Sequence, residues 1–125
     1  MANQEIKIRQ LDFKDLPQIM IVERSAWHSE WQAPEWKFAV RMIQFPNGVL
    51  GAVYHDRIVG VSTSMLTNYH QKEWSRLDMD WDRITGEGTI RNHDTNGNVL
   101  YVVSAAALQQ KDYPAGEEKD RKSVV

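Results

Sequence analysis

Two groups of residues have the types and spacing to do chemistry. His93 and Asp94 are an adjacent histidine–carboxylate pair, and an imidazole backed by a carboxylate is a common general base near neutral pH. They precede an Asn96-Gly97 turn, so the alternative is a turn-stabilising role in which the Asp side chain bonds nearby backbone. Trp27, His28 and Trp31 cluster around the end of the first helical pattern. Together they could form an aromatic wall that receives an amine, and the alternative is core and surface packing, because aromatics bury large areas wherever they occur. Asp78, Asp80 and Asp82 alternate like the opening of a calcium loop, but Arg83 stands where that loop needs Gly and Thr89 where it needs Glu. The four histidines have no metal-binding spacing and there is no GxSxG elbow.

Composition narrows the chemistry further. The 125 residues hold no cysteine, which removes disulfides, thiolate nucleophiles and Cys-based zinc sites. With 15 basic and 17 acidic residues the net charge is −2, so there is no electrostatic case for nucleic acid or an anionic membrane as partner. The apolar fraction is 42% with five Trp, enough for the core of one domain. The first residues, Met1 to Glu5, lack a basic start followed by an apolar run, and no stretch approaches the ~20 apolar residues of a membrane span. The expectation is a soluble, cytoplasmic protein.

These side chains need elements to position them. Ile6 to Leu11 alternates apolar and polar residues, the period of a half-buried strand. Asp15 is the expected N-cap of a first helix, with Pro17 in its first turn and an apolar stripe of Leu16, Ile19, Met20, Ala26 and Trp27 broken only by Glu23. Pro34 opens a second helix, whose buried face is expected to be Trp36, Ala39, Val40 and Ile43. After Pro46 and the Asn47-Gly48 turn, Val49 to Tyr54 and Ile58 to Leu66 form a hairpin around His55-Asp56-Arg57. Gly60 predicts a bulge or close backbone approach in the second of those strands. Asn68 to Asn98, about 30 residues without sustained periodicity, is a long loop of the kind that often carries function. Val99 to Val103 is a continuous apolar run, expected to be a strand buried on both faces. Residues 109–125 are charged and poor in apolar side chains, which predicts a flexible tail after a domain spanning 1–108.

The order strand, two helices, hairpin, strand resembles the GNAT superfamily of acetyl-CoA-dependent N-acetyltransferases. Ile8-Arg9-Gln10-Leu11 with Lys14-Asp15-Leu16 resembles the family's opening strand and helix entry, and Asp56-Arg57-Ile58-Val59-Gly60 its hairpin turn. The run from Trp81 through Gly86-Glu87-Gly88-Thr89-Ile90-Arg91-Asn92-His93-Asp94 to Tyr101 is more specific. It is similar to the GNAT domains fused to carbon–nitrogen hydrolase domains in some bacterial proteins. The resemblance covers about the first 100 residues. It implies an α+β fold, a GNAT-like domain cut short, with a mainly antiparallel sheet of about four strands and two helices. It also implies acetyl transfer from acetyl-CoA to a small amine. Val103, Ala105 and Ala107 would then be the cofactor-facing backbone of the fourth strand, and Ser104 would stand near the acceptor amine. Trp27, Trp31, Tyr69, His93 and Asp94 complete the expected substrate-binding set.

The likeness ends after Tyr113. Where the family places a glycine-rich loop and a helix N-terminus for the pyrophosphate, the sequence reads Pro114-Ala115-Gly116-Glu117-Glu118-Lys119-Asp120. Two adjacent carboxylates there would repel a phosphate. Three readings therefore remain open: an acetyltransferase-like domain with incomplete catalytic machinery, a small-ligand-binding or dimerisation module on that scaffold, its pocket bounded by Trp27, Trp31, Tyr69 and the long loop, or a stand-alone structural remnant without a ligand. A fourth strand ending the sheet would leave an apolar edge with unpaired backbone groups, and a homodimer covering that edge is expected.

Overall fold

The computed structural model describes residues 5–68 and 80–113. The period-two start becomes β1 (Lys7–Gln10), followed by α1 (Leu16–Ala26), α2 (Glu35–Gln44), β2 (Val49–Tyr54), β3 (Arg57–Thr67), a short α3 (Trp81–Thr85) and β4 (Val99–Ala107). The four strands form one antiparallel sheet in the order β1-β2-β3-β4. This is the expected α+β architecture. Among the described residues no helix is long and apolar enough to cross a membrane.

One face of the sheet carries the core. Leu11, Ile19, Val22, Phe38, Met42, Val49 and Val61 pack between the helices and the sheet. A smaller cluster of Met65, Ile90 and Val103 sits towards the far end of β3 and β4. The opposite face has no helix against it among the described residues. Strand register turns the row Ile8–Ala52–Gly60–Ala107 to that face, then Gln10–Leu50–Ser62–Ala105, then Ser64 with Val102 and Leu66 with Leu100. Leu100 is 60% and Val102 59% exposed, so β4 is not buried on both faces as its apolar run suggests. Among the described residues it is an edge strand with one face uncovered.

Two helix details also depart from expectation. Asp15 sits at the N-cap position of α1 but makes no cap hydrogen bond. Its carboxylate instead accepts two hydrogen bonds from the Arg9 guanidinium at 2.9 Å each and one from the Asp12 N–H at 2.9 Å. The bidentate Arg9 bonds hold the Asp15 carboxyl below the usual carboxylate range. On α2, the buried residues are Phe38, Arg41 and Met42, whereas Trp36 is exposed and Ile43 is 67% exposed. The helix has two candidate apolar faces, and the one that packs carries a buried charge.

The β2–β3 hairpin turns on His55 and Asp56, both left-handed (φ 52° and 59°), the two-residue turn whose twist matches the flanking strands. The irregularity falls next to Gly60: Ala52 pairs with Gly60 and Val53 with Ile58, so Val59 is the extra residue, while a Cβ on Gly60 would stand 3.3 Å from that of Ala52. Gln109 and Asp112, assigned by sequence to the tail, are tied to α1. The Gln109 N–H donates to Ser25 Oγ (2.8 Å), and the Ser25 hydroxyl donates to Asp112 (2.6 Å).

Candidate functional site

The most distinctive backbone feature lies in β4. Ser104 pairs with Thr63 and Val102 with Ser64, so Val103 is an extra residue, a bulge on the edge strand of the sheet. A bulge breaks the ladder and leaves backbone groups of the extra residue unmatched. The Val103 carbonyl accepts a hydrogen bond from the Trp81 indole N–H at 2.9 Å. Its side chain packs with Met65 and Ile90. Ile90 is fully buried and left-handed (φ 51°), a strained conformation for a β-branched residue. Beyond the bulge, alternate residues of an edge strand turn their N–H and C=O away from the sheet.

The segment over the bulge is built by local chemistry. Asp80 caps α3 by accepting from the Arg83 N–H (3.0 Å), and Gly86 ends it in the left-handed region at φ 62°. Gly88, at φ 82°, brings its backbone close to the Trp81 ring and the Arg41 guanidinium, with no room for a side chain. Sequence periodicity misses α3 because five residues are too few to show it. The Asp80 cap and Gly86 were the available signals.

Arg41 borders the candidate site and is not singled out by its sequence pattern. Its side chain is buried, with the guanidinium stacked on Phe38 (4.7 Å). Its Nε–H donates to the Gly88 carbonyl (2.6 Å) and its Nη1–H to Thr63 Oγ1 (3.4 Å). Burial pulls its pKa down to about 10, against the opposing effect of Glu23, so it remains cationic at neutral pH. Glu23 is buried too, its carboxyl pushed up by desolvation while it accepts from the Ala33 N–H (2.8 Å). Two opposite charges interrupting two adjacent apolar helices were the signal in the sequence. Through Thr63, the cross-strand partner of Ser104, Arg41 ties α2 to the bulge.

The expected site residues fall into separate places. Val103, Ser104, Ala105 and Ala107 share β4, with Ser104 half-buried on the helix side and Ala105 and Ala107 exposed on the open face. The Ala107 carbonyl accepts from the Gln109 side chain (3.0 Å). Trp27 ends α1 and its carbonyl accepts from Gln32 (3.0 Å), while Trp31 stands 71% exposed in a 3-10 turn. His93 Nδ1 accepts from the Leu66 N–H (3.0 Å), and the ring stacks on Phe45 at 4.1 Å. This places the proton of neutral His93 on Nε2, and burial lowers its pKa. Asp94 accepts from Asn96 N–H (2.9 Å) and the Asn68 side chain (2.6 Å), and those bonds hold its carboxyl below the ordinary range. The pair therefore pins a turn to the end of β3, the structural alternative read from the sequence. Tyr69, Asp78 and Pro114 to Asp120 lie outside the described residues. Among the described residues no cluster of three His or carboxylate side chains could hold a metal.

No family model matches the chain. The uncharacterized N-acetyltransferase YkwB of Bacillus subtilis (strain 168) is 36% identical over 69 residues, which make up 55% of this chain and 29% of that protein. Among solved structures, the loading GNATL domain of CurA from Lyngbya majuscula superposes with a TM-score of 0.65 at 17% identity, over 96% of this chain and 56% of that one. The GphF GNAT-like decarboxylase in complex with isobutyryl-CoA gives 0.66 at 19% identity, over 94% and 54%. The chain thus spans under a third of the curated relative and little more than half of the solved chains. Over that part the fold is GNAT-like. The narrower likeness to domains fused to carbon–nitrogen hydrolases gains nothing from these relatives.

Proposed function

We propose that this chain is a GNAT-type N-acyltransferase-like domain that takes the acyl end and pantetheine arm of acetyl-CoA along the open edge of β4. The observation that carries the reading is the bulge at Val103 in the edge strand of a GNAT-like fold. The backbones of Val103, Ala105 and Ala107 offer amide groups in the extended spacing that an amide-containing pantetheine arm can match. The Trp81 indole now bonded to the Val103 carbonyl would yield to, or sit beside, that arm. Ser104 faces the acceptor, a small amine whose nitrogen forms the new amide as the thioester C–S bond breaks and the thiolate takes up a proton. Arg41, one hydrogen bond behind Thr63, adds positive charge that favours the neutral, nucleophilic form of such an amine.

A second reading is favoured by one observation. His93 and Asp94 are committed to the turn they hold, which takes the best-placed general base out of use and fits a binding module that performs no transfer. A thermal-shift titration with acetyl-CoA and with CoA separates the readings when paired with a thiol-release assay over a panel of small amines. Binding to the folded state stabilises by about 2.7 kcal/mol at a hundredfold excess over Kd, a visible shift. Stabilisation with thiol release supports transfer, and stabilisation without release for any amine supports the binding module. No stabilisation at millimolar acetyl-CoA or CoA contradicts the acyltransferase reading and leaves the binding module, with a different small ligand, in its place.

A further inference from the structure

The Trp81 indole occupies an acceptor that a ligand on the β4 edge would use. Its Nε1–H donates to the Val103 carbonyl at 2.9 Å, and Val103 is the extra residue of the bulge, whose backbone the β3 ladder leaves unmatched. The far end of the same ring lies against Gly88, where a Cβ would stand 2.8 Å from the indole Cη2. The ring therefore reaches from Gly88 to the bulge and covers the strand edge there.

The backbone that carries this side chain is fixed. Thr85 is fully buried, and its hydroxyl donates to the Trp81 carbonyl (2.7 Å) while accepting from the Gly88 N–H (2.9 Å). The Arg41 Nε–H holds the Gly88 carbonyl (2.6 Å), and Ile90 is buried in the cluster with Met65 and Val103. The indole itself is held more lightly. Trp81 is 40% exposed, and an indole has one donor, so a single hydrogen bond secures its polar edge. The side chain can turn about its own torsions into water while α3 and the loop to Ile90 stay in place. The N–H and the carbonyl then both find new partners, so the cost is that of one net hydrogen bond and some ring contact.

We infer that Trp81 is an autoinhibitory plug, its indole holding the Val103 carbonyl until an amide N–H of the acyl-pantetheine arm replaces it and turns the ring outward. The inference rests on the reading of the β4 edge as the acetyl-CoA site, and it makes the blocked and open edges two states of one side chain. Indole and amide N–H groups both only donate, so one substitutes for the other on the same acceptor. Each binding event breaks the Trp81–Val103 bond, which weakens binding about fivefold for a hydrogen bond of ordinary net strength. Gly88 fits this device, because a side chain there would push the ring off the bulge.

The test is calorimetric titration of acetyl-CoA into the full 125-residue chain and into Trp81→Phe, which keeps an aromatic ring and removes the N–H. The expected result is binding about fivefold tighter in Trp81→Phe. A second readout uses the wild type alone: the Trp81 indole N–H resonance, whose exchange with water should quicken at saturating acetyl-CoA. Equal affinities, with that N–H as protected at saturation as before, overturn the plug and leave the acetyl-CoA reading standing. Weaker binding by a Trp81→Phe chain that unfolds at the wild-type denaturant midpoint also overturns it, and makes the indole a ligand contact. Absence of binding to both chains at millimolar acetyl-CoA overturns the acetyl-CoA reading and the plug with it.

Discussion

At the scale of single residues, Arg41 and His93 carry the most weight. Arg41→Ala would leave Glu23 buried without its compensating cation and the Gly88 carbonyl without its donor. The expected loss is about 1–3 kcal/mol in denaturant unfolding, the cost of leaving a buried acceptor without its donor, since Glu23 feels Arg41 through space and not through a direct ion pair. The paired change Arg41→Met with Glu23→Leu should cost less than Arg41→Ala alone, because no charge is then left stranded. A loss below about 1 kcal/mol for Arg41→Ala would mean the guanidinium does not hold the loop to the sheet. For His93, burial puts the folded pKa below the ordinary 6.5. The folded state therefore binds fewer protons than the unfolded one in that window, and stability rises with pH through it. The contribution is fully present above the unfolded pKa and is lost as pH falls through the folded one. Protonation of Nδ1 would also remove the acceptor of the Leu66 N–H. The protection factor of the Leu66 amide, its exchange corrected for the intrinsic pH dependence, should fall on acidification through that range in the wild type and lose this dependence in His93→Gln. Pronounced acid sensitivity of that amide in His93→Gln would assign it to another group.

At the scale of elements, the strands and hairpin were legible because alternation and turn chemistry are local. His55 and Asp56 show this most directly, since both occupy the left-handed region that an Asn-Gly dipeptide fills with least strain. The double change His55→Asn with Asp56→Gly should raise stability by about 0.5 kcal/mol in thermal unfolding. A comparable loss would show that the native side chains hold the turn by contacts of their own. The helix faces were only half legible. In α2, Trp36, Ala39, Val40 and Ile43 have the spacing of a buried face, yet Phe38, Arg41 and Met42 are the residues that pack. Periodicity counts an Arg as polar and cannot know that a glycine carbonyl and a threonine hydroxyl from distant segments will satisfy it. The same limit hid α3 and the role of Trp81, whose indole meets a carbonyl 22 residues further along the chain. It also made β4 look like a central strand, because an apolar run reports the side chains and not whether anything covers them.

At the scale of the whole molecule, the described residues form a GNAT-like four-stranded sheet with β4 at its edge. That edge, with its bulge at Val103 above a strained Ile90, is the proposed acetyl-CoA site. Element order made the fold legible from the start, whereas the site was legible only as a strand. The residues that shape it, Arg41, Gly88 and Trp81, are brought together by contacts between α2, the loop and β4 that no sequence window spans. The measurement that bears most directly on the central claim is an amide-resolved titration of the nitrogen-15-labelled chain with acetyl-CoA. Binding along β4 predicts saturable shifts concentrated at Val103 to Ala107 and at the Trp81 indole N–H, which loses or changes its bond to the Val103 carbonyl. Shifts elsewhere that leave β4 and Trp81 unmoved, or none at millimolar acetyl-CoA, would contradict it.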